Sequence, residues 1–215
     1  MFPLGSVLLP AGVLSLHVFE PRFKALVRDC VASEPHEFGV VLIERGNEVG
    51  GGDVRRDVGS IARMVQVAEM DDGRFAVIAI GVGRLRVNAW LPDDPYPLAD
   101  IDEWPDDFGR DEMAPGDKRR GDAAQATDDL LRSVTQRTRR AAALALELGD
   151  DGADPSAELA DDLLTASYQL AGLAPIGPAD AYDLLCASGP TVRLRVLDDL
   201  LVHVEAAQAF RLHTS

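Results

Sequence analysis

Apolar residues in the first hundred positions fall in short runs or in alternation, whereas beyond residue 122 they recur with helical period. Val13-Leu14-Ser15-Leu16-His17-Val18-Phe19 alternates loosely, and Phe38 to Ile43 is a continuous apolar run of the kind expected of a strand buried on both faces. Ile61 to Glu69 and Phe75 to Ile80 flank MDDG, whose Asp72-Gly73 predicts a hairpin. Gly81 and Gly83 bracket Val82 and predict a bulge or sharp bend between strands. Leu85, Val87, Ala89 and Leu91 then alternate as one half-buried strand, and Leu98 to Asp102 predicts another. A single helix interrupts this half: Phe23, Leu26, Val27, Cys30 and Val31 share one face, and Pro21 suits its first turn.

Residues 92 to 129 are dense in Asp and Pro, and the stretch 105–122 reads as a mobile acidic linker. NEVGGGD, residues 47–53, reads as a flexible connection. Ala123 to Glu147 is one long helix candidate, with Leu130, Leu131, Val134, Leu144 and Leu148 as its apolar positions. Asp154-Pro155 predicts an N-cap and first turn of a helix running to Ala171. Gly177-Pro178 opens a shorter helix to Ala187, and Gly189-Pro190 opens the last, with Val192, Val196, Leu200 and Leu201 as its face. The fold class is therefore α+β, with a β-rich lobe over 1–104, the linker 105–122 and a helical bundle over 123–215.

Charge narrows the function. The chain carries a formal −15 over 215 residues, and its basic runs, Lys118-Arg119-Arg120 and Arg139-Arg140, have acidic neighbours, so nucleic acid is not expected as a partner. Cys30 and Cys186 stand apart among apolar residues and read as buried core thiols, neither a disulfide framework nor a metal knuckle. The acid-free start has no basic residue before Arg22 and is interrupted by Pro3, Gly5, Pro10 and Gly12, unlike an export signal. No stretch approaches the roughly 18 apolar residues of a membrane span, and a soluble, cytoplasmic protein is expected.

Catalytic signatures are missing from the sequence. No Gly-Lys pair supplies a phosphate cradle, and His17, His36, His203 and His213 have no metal-ligand spacing. There is no G-x-S-x-G, and a Ser/Lys dyad would have to draw on Lys24 or Lys118. The pairs Asp128-Asp129, Asp161-Asp162 and Asp198-Asp199 read as solvated helix faces. HVFEPRF, residues 17–23, is a strand-to-helix joint in this reading: His17 and Phe19 share one face, and Glu20 before Pro21 sits in the N-cap slot. The Glu20/Arg22 pair is expected to reach toward Arg84.

Phe2-Pro3-Leu4, Phe19-Glu20-Pro21-Arg22-Phe23, Val58-Gly59 before a strand and Gly81-x-Gly83-Arg84, in this order and spacing, resemble the N-terminal domain of Lon proteases. The chain is even more similar to stand-alone bacterial proteins that consist of that domain. The helical stretch LAPIGPADAYDLLCASGPTVRLRVLDDLL also resembles the family's C-terminal lobe. The resemblance implies a PUA-like pseudo-barrel with one helix, followed by a helical bundle, and a role in recognising unfolded substrates. It carries no catalytic residue onto this chain, and it implies Pro3, Glu20, Pro21, Arg22, Gly81 and Arg84 as structural motif positions. The ATPase and peptidase domains of full-length Lon lie C-terminal to this region, and a chain stopping at Ser215 is expected to lack them.

The expected function is a non-catalytic substrate adaptor or folding-related binder, free of cofactor and metal. Unfolded or extended polypeptides are the expected partners, with a separate protease or chaperone. Capture is expected between the strand lobe and the helices, at Leu14, Leu16, Phe19, Met64 and Trp90, with Phe23 more at home in the core. The alternative is a small-molecule sensor in which Trp90 and Trp104 line an aromatic pocket; a hydrolase built on His17 and Glu20 is a third reading.

Overall fold

The alternation of Val13–Val18 is realised as a strand, β2, with Leu14, Leu16 and Val18 turned inward and Val13, Ser15 and His17 outward. Five further strands and a helix join it: β1 (Phe2–Leu4), α1 (Pro21–Ala32), β3 (Glu37–Arg45), β4 (Val54–Glu69), β5 (Phe75–Leu91) and β6 (Leu98–Glu103). Four helices follow: α2 (Lys118–Glu147), α3 (Leu163–Leu173), α4 (Pro178–Cys186) and α5 (Pro190–Thr214). This computed structural model describes residues 1–46, 48, 52–107 and 118–214, the side chains of 118–122 and 214 excepted. Most of the glycine-rich loop (47 and 49–51) and of the acidic linker (108–117) therefore lies outside the described residues. The chain divides into two compact units, Met1–Pro105 and Asp106–Ser215, and its class is α+β.

The first unit is a mixed six-stranded sheet of order β1-β3-β4-β5-β2, with β6 also on β5; β1 runs parallel to β3 and the other pairs are antiparallel. β3 is packed on both faces, as its unbroken apolar run required: Val40 enters the main cluster and Val41 a second one with Leu85 and Val87. In the main cluster Phe2 stacks on Phe23 at 4.1 Å between ring centroids, so the FPL and FEPRF stretches meet in space. Burying Phe23, Leu26 and Val27 of α1 contributes roughly 1.5–3 kcal/mol for each side chain. Val31, expected on that face, is 49% exposed, because it lies about 90° around the helix from the centre of the stripe. Cys30 and Cys186 are half-buried rather than core thiols; the Cys30 Sγ donates to the Glu37 carbonyl at 3.4 Å.

The hairpin forms at Asp72-Gly73, with Gly73 at φ +74° and the Met70 amide donating to the Arg74 carbonyl at 2.8 Å. Gly81 and Gly83 do not separate two strands. They sit inside the continuous β5, where Ile61 pairs with Gly83 and Ala62 with Gly81, leaving Val82 as the bulged residue. Glycine is required at 81 because a Cβ there would strike the Leu9 carbonyl oxygen, where the 9–12 loop crosses β5. That crossing is a backbone bridge: Ala11 donates to the Gly81 carbonyl at 2.8 Å and Gly81 to the Gly12 carbonyl at 2.9 Å.

In the second unit the buried stripe of α2 is Val134, Thr138, Ala141, Ala142 and Ala145, not the predicted leucines, which are only half-buried. Small residues dominate because α2 lies against α5, where the Gln208 amide donates to the Ala141 carbonyl at 2.8 Å. The helix predicted from Asp154 begins only after Asp162, whose carboxylate accepts the Thr165 amide at 2.8 Å. Residues 154–162 hold too few apolar side chains to form a helix face. Asp154 closes a turn on Ser156, and the Gln169 side chain takes the Ala160 amide at 2.7 Å. The acidic pairs are likewise not uniformly solvated faces: Asp162 caps α3, and Asp198 with Glu205 grips Arg137. Among the described residues no helix is long and apolar enough to cross a membrane.

α5 buries Leu194, Leu197 and Leu201 with Arg193, so its inner face is rotated from the predicted one and Val192 is exposed. The Arg193 guanidinium, wholly inaccessible, lies 3.6 Å over the Tyr168 ring and donates to the Leu184 carbonyl, the Ser167 hydroxyl and, at 2.6 Å, the Asp106 carboxylate. The second Asp106 oxygen accepts the Tyr168 hydroxyl at 2.7 Å. Asp106→Ala should therefore strand a buried cation and lower the stability of the helical unit by about 3–5 kcal/mol. The double change Asp106→Leu with Arg193→Met should cost much less. Urea unfolding followed by circular dichroism checks both.

Candidate functional site

HVFEPRF is built as a joint. β2 ends at Val18, Glu20 takes extended angles (φ −68°, ψ 136°), and Pro21 starts α1. Glu20 occupies the N-cap slot, yet its carboxylate accepts no amide of the helix; it takes the Arg22 Nε at 3.1 Å instead. Arg22 also lies over the Phe23 ring at 4.4 Å and reaches the Glu48 carbonyl. Arg84, expected near this pair, is buried with its guanidinium 4.2 Å over Trp104 and donates to the Pro105 carbonyl. His17 lies on the outward face of β2, while Glu20 is tied to Arg22.

The predicted binding residues do not form one surface. Leu14 and Leu16 are half-buried against the main cluster, and Met64 is a member of it at 8% exposure. Trp90 packs on the second cluster, and Phe19 is 54% exposed beyond the end of β2. Phe23 is core.

What the sequence reading missed is the outward face beside β2. Val13, Ser15 and His17 pair in register with Ile80, Ile78 and Ala76 of β5, and Ile80 and Ile78 pair in turn with Arg63 and Gln66 of β4. Alternate residues share a face, so Val13, Ile78 and Ile80 form an outward apolar strip, with Val13 69% exposed. Val65, the extra residue of a β4 bulge, is 55% exposed. The signal was in the sequence: FAVIAI is apolar at both parities, which a strand with only one dry face does not need.

The strip borders an open strand edge. Among the described residues β2 pairs only with β5, leaving its other edge free. Proteins blunt such edges with short length, proline or charge. β1 has three residues, one of them Pro3, and β6 carries Asp100, Asp102 and Glu103. β2, with sequence VLSLHV, has none of these protections. An extended chain laid along it would gain main-chain hydrogen bonds and an apolar side-chain platform.

The two tryptophans are covered by cations instead of lining an open aromatic pocket. Arg55 lies 4.7 Å over Trp90, and both Arg84 and Arg86 lie over Trp104, at 4.2 and 4.3 Å. Arg55 is fixed by Asp53 at 2.6 Å and Asp93 at 3.4 Å. Burial alone would raise the Asp53 pKa; the hydrogen bond and charge of Arg55, aided by its own backbone amide and Arg22, outweigh it and hold the carboxyl below its ordinary range. A depressed carboxyl contributes stability above its unfolded pKa and loses it as pH falls through the folded value. The Arg55 clamp should therefore open only below about pH 4. Trp90 fluorescence in a Trp104→Phe background should change in that range, and Asp53→Asn should abolish the change. Among the described residues no group of three or more His, Cys, Asp or Glu is placed to hold a metal ion.

Comparison with known proteins agrees with this architecture. The family described as the ATP-dependent protease La (LON) substrate-binding domain matches residues 1–203. Lon protease 2 of Sorangium cellulosum (strain So ce56) is 32% identical over 109 residues, 50% of this chain and 13% of that protein. Lon protease 2 of Myxococcus xanthus is 32% identical over 100 residues, 46% of this chain and 12% of that protein. The matched regions thus span only a small part of these relatives. The crystal structure of a Lon N-terminal domain protein from Xanthomonas campestris superposes with a TM-score of 0.59 at 28% identity, covering 94% of this chain and 95% of that one. The N-terminal domain of Mycobacterium avium complex Lon protease shares the fold, with a TM-score of 0.51 at 22% identity over 93% of this chain and 96% of that one.

Proposed function

The chain belongs to the family of Lon substrate-binding domains, and from that premise we propose that it holds extended polypeptide by strand addition along the free edge of β2. The observation that carries this reading is the edge itself: VLSLHV holds no Asp, Glu, Lys or Arg, is unpaired on one side among the described residues, exposes Val13, and is bordered by the half-buried Ile78 and Ile80. Main-chain hydrogen bonds along β2 tolerate many sequences, which suits a protein that meets unfolded clients rather than one ligand. The apolar strip adds selectivity for segments with alternating apolar side chains, each contributing roughly 0.8 kcal/mol per buried methylene. Phe19, beyond the end of the strand, extends the platform. The residues Leu14, Leu16 and Met64 support the site from behind by fixing β2 and β4 on the core. Trp90 and its arginine clamp stabilise the other end of β5.

In this role the protein acts as a cytoplasmic substrate adaptor or folding-related binder that presents captured segments to a separate protease or chaperone. The Val13→Lys, Ser15→Lys double variant places two cations on exposed positions of the edge strand, a substitution folded sheets tolerate and incoming strands do not. Its affinity for a reduced, unfolded model polypeptide should fall at least about tenfold, equivalent to about 1.4 kcal/mol, with the circular dichroism spectrum unchanged. Equal binding by the wild type and the folded variant would remove the β2 edge from the mechanism.

A further inference from the structure

The helical unit holds a cavity of about 490 Å³ between α2 and the chain ahead of α3. Its walls are Leu131, Leu159, Ala160 and Ala166, and its polar groups come from Thr135, Gln136, Arg132 and Arg139. Among the described residues no carboxylate lines it, in a chain of formal charge −15. Arg132 is held by Asp129, one turn earlier on α2. Arg139 is fixed differently: its Nη2 donates to the Ala157 carbonyl at 2.9 Å, while its Nε is buried without a hydrogen-bond partner among the described residues. Arg139 has no carboxylate partner among the described residues, and the group that a guanidinium beside an apolar wall binds best is a carboxylate. The cavity volume falls within the roughly 300–1,000 Å³ of small-ligand sites, and its lining mixes apolar with polar side chains.

We propose that this cavity receives the C-terminal residue of a polypeptide, with its apolar side chain against Leu131 and Leu159 and its terminal carboxylate on Arg139. The proposal rests on the reading of the protein as a polypeptide binder, but it uses residues other than those of the β2 edge. Charge complementarity selects the occupant: an apolar wall beside a guanidinium that has no ion pair among the described residues fits a chain end, where an apolar side chain and a carboxylate share one carbon. Gln136, on the lining, is placed to accept or donate to the last peptide group. Internal segments offer no such carboxylate and remain the clients of the strand edge.

The test compares a decapeptide ending in leucine, as the free acid and as the C-terminal amide, by fluorescence anisotropy and hydrogen exchange. The free acid should bind at least about tenfold more tightly and should slow exchange over residues 131–139 and 157–160. Gln136→Glu, which adds a like charge at a surface position, and Arg139→Gln should each bring acid and amide within about twofold of one another. Should Arg139→Gln fail to fold, Gln136→Glu alone decides. The Val13→Lys, Ser15→Lys variant should keep the full acid-over-amide preference, so that failure of the strand-edge reading and failure of this one are distinguished. Equal binding of acid and amide by the wild type overturns the proposal. So does displacement of the peptide by decanoate at equal concentration, which would make the cavity a fatty-acid site, and so does the lack of saturable binding of either peptide up to about 1 mM.

Discussion

The backbone of β5 is the constraint from which the first unit is built. Its 17 residues must find hydrogen-bond partners along both edges. β4 supplies one edge, while β2 and then β6 divide the other between them. Where the second edge changes hands, around Gly81 to Arg84, the 9–12 loop fills in with backbone hydrogen bonds to Gly81. That is why a side chain is excluded at 81 and why the strand bulges at Val82. The same division leaves β2 with a single partner among the described residues and therefore with an open edge, so the candidate binding site is a by-product of how β5 is satisfied.

The helical unit depends on a different kind of interaction. A cation with no access to water is acceptable only when almost every donor is used, and Arg193 uses its donors on Leu184, Ser167 and Asp106 while lying on Tyr168. These partners come from α3, from α4 and from the stretch ahead of α2, so one side chain specifies how distant segments of the unit meet. Asp106 stands at the beginning of this unit, which ties the chain's entry into the bundle to its centre. Small residues along α2 complete the arrangement by letting α5 approach, and Arg137 closes the seam with Asp198 and Glu205.

Both candidate binding surfaces share a logic. Each sets polar groups beside an apolar wall: the free edge of β2 beside Val13, Ile78 and Ile80, and the Arg139 guanidinium beside Leu131 and Leu159. Polypeptide is the ligand class that answers both, through its main chain in the first case and its terminus in the second. The tryptophans do not take part in this logic, because guanidinium groups already occupy their faces.

The sequence by itself determined the α+β class, the hairpin at Asp72-Gly73, the helix after Pro21 and the two helices opened by Gly-Pro, because each follows from local periodicity or turn chemistry. The Phe2–Phe23 stack, which brings the FPL and FEPRF stretches together, was visible only in the fold. Tertiary structure decided the rest. Whether Met64 or Val13 faces solvent depends on strand register, and both are apolar, so composition could not separate them. The start of α3 was moved to Asp162 by a distant side chain, Gln169, that satisfies the Ala160 amide. The inner face of α5 was rotated by a buried arginine, which no apolar periodicity can announce. Local rules act through neighbours along the chain, whereas edges, cavities and buried charges exist only once residues far apart in sequence have been brought together.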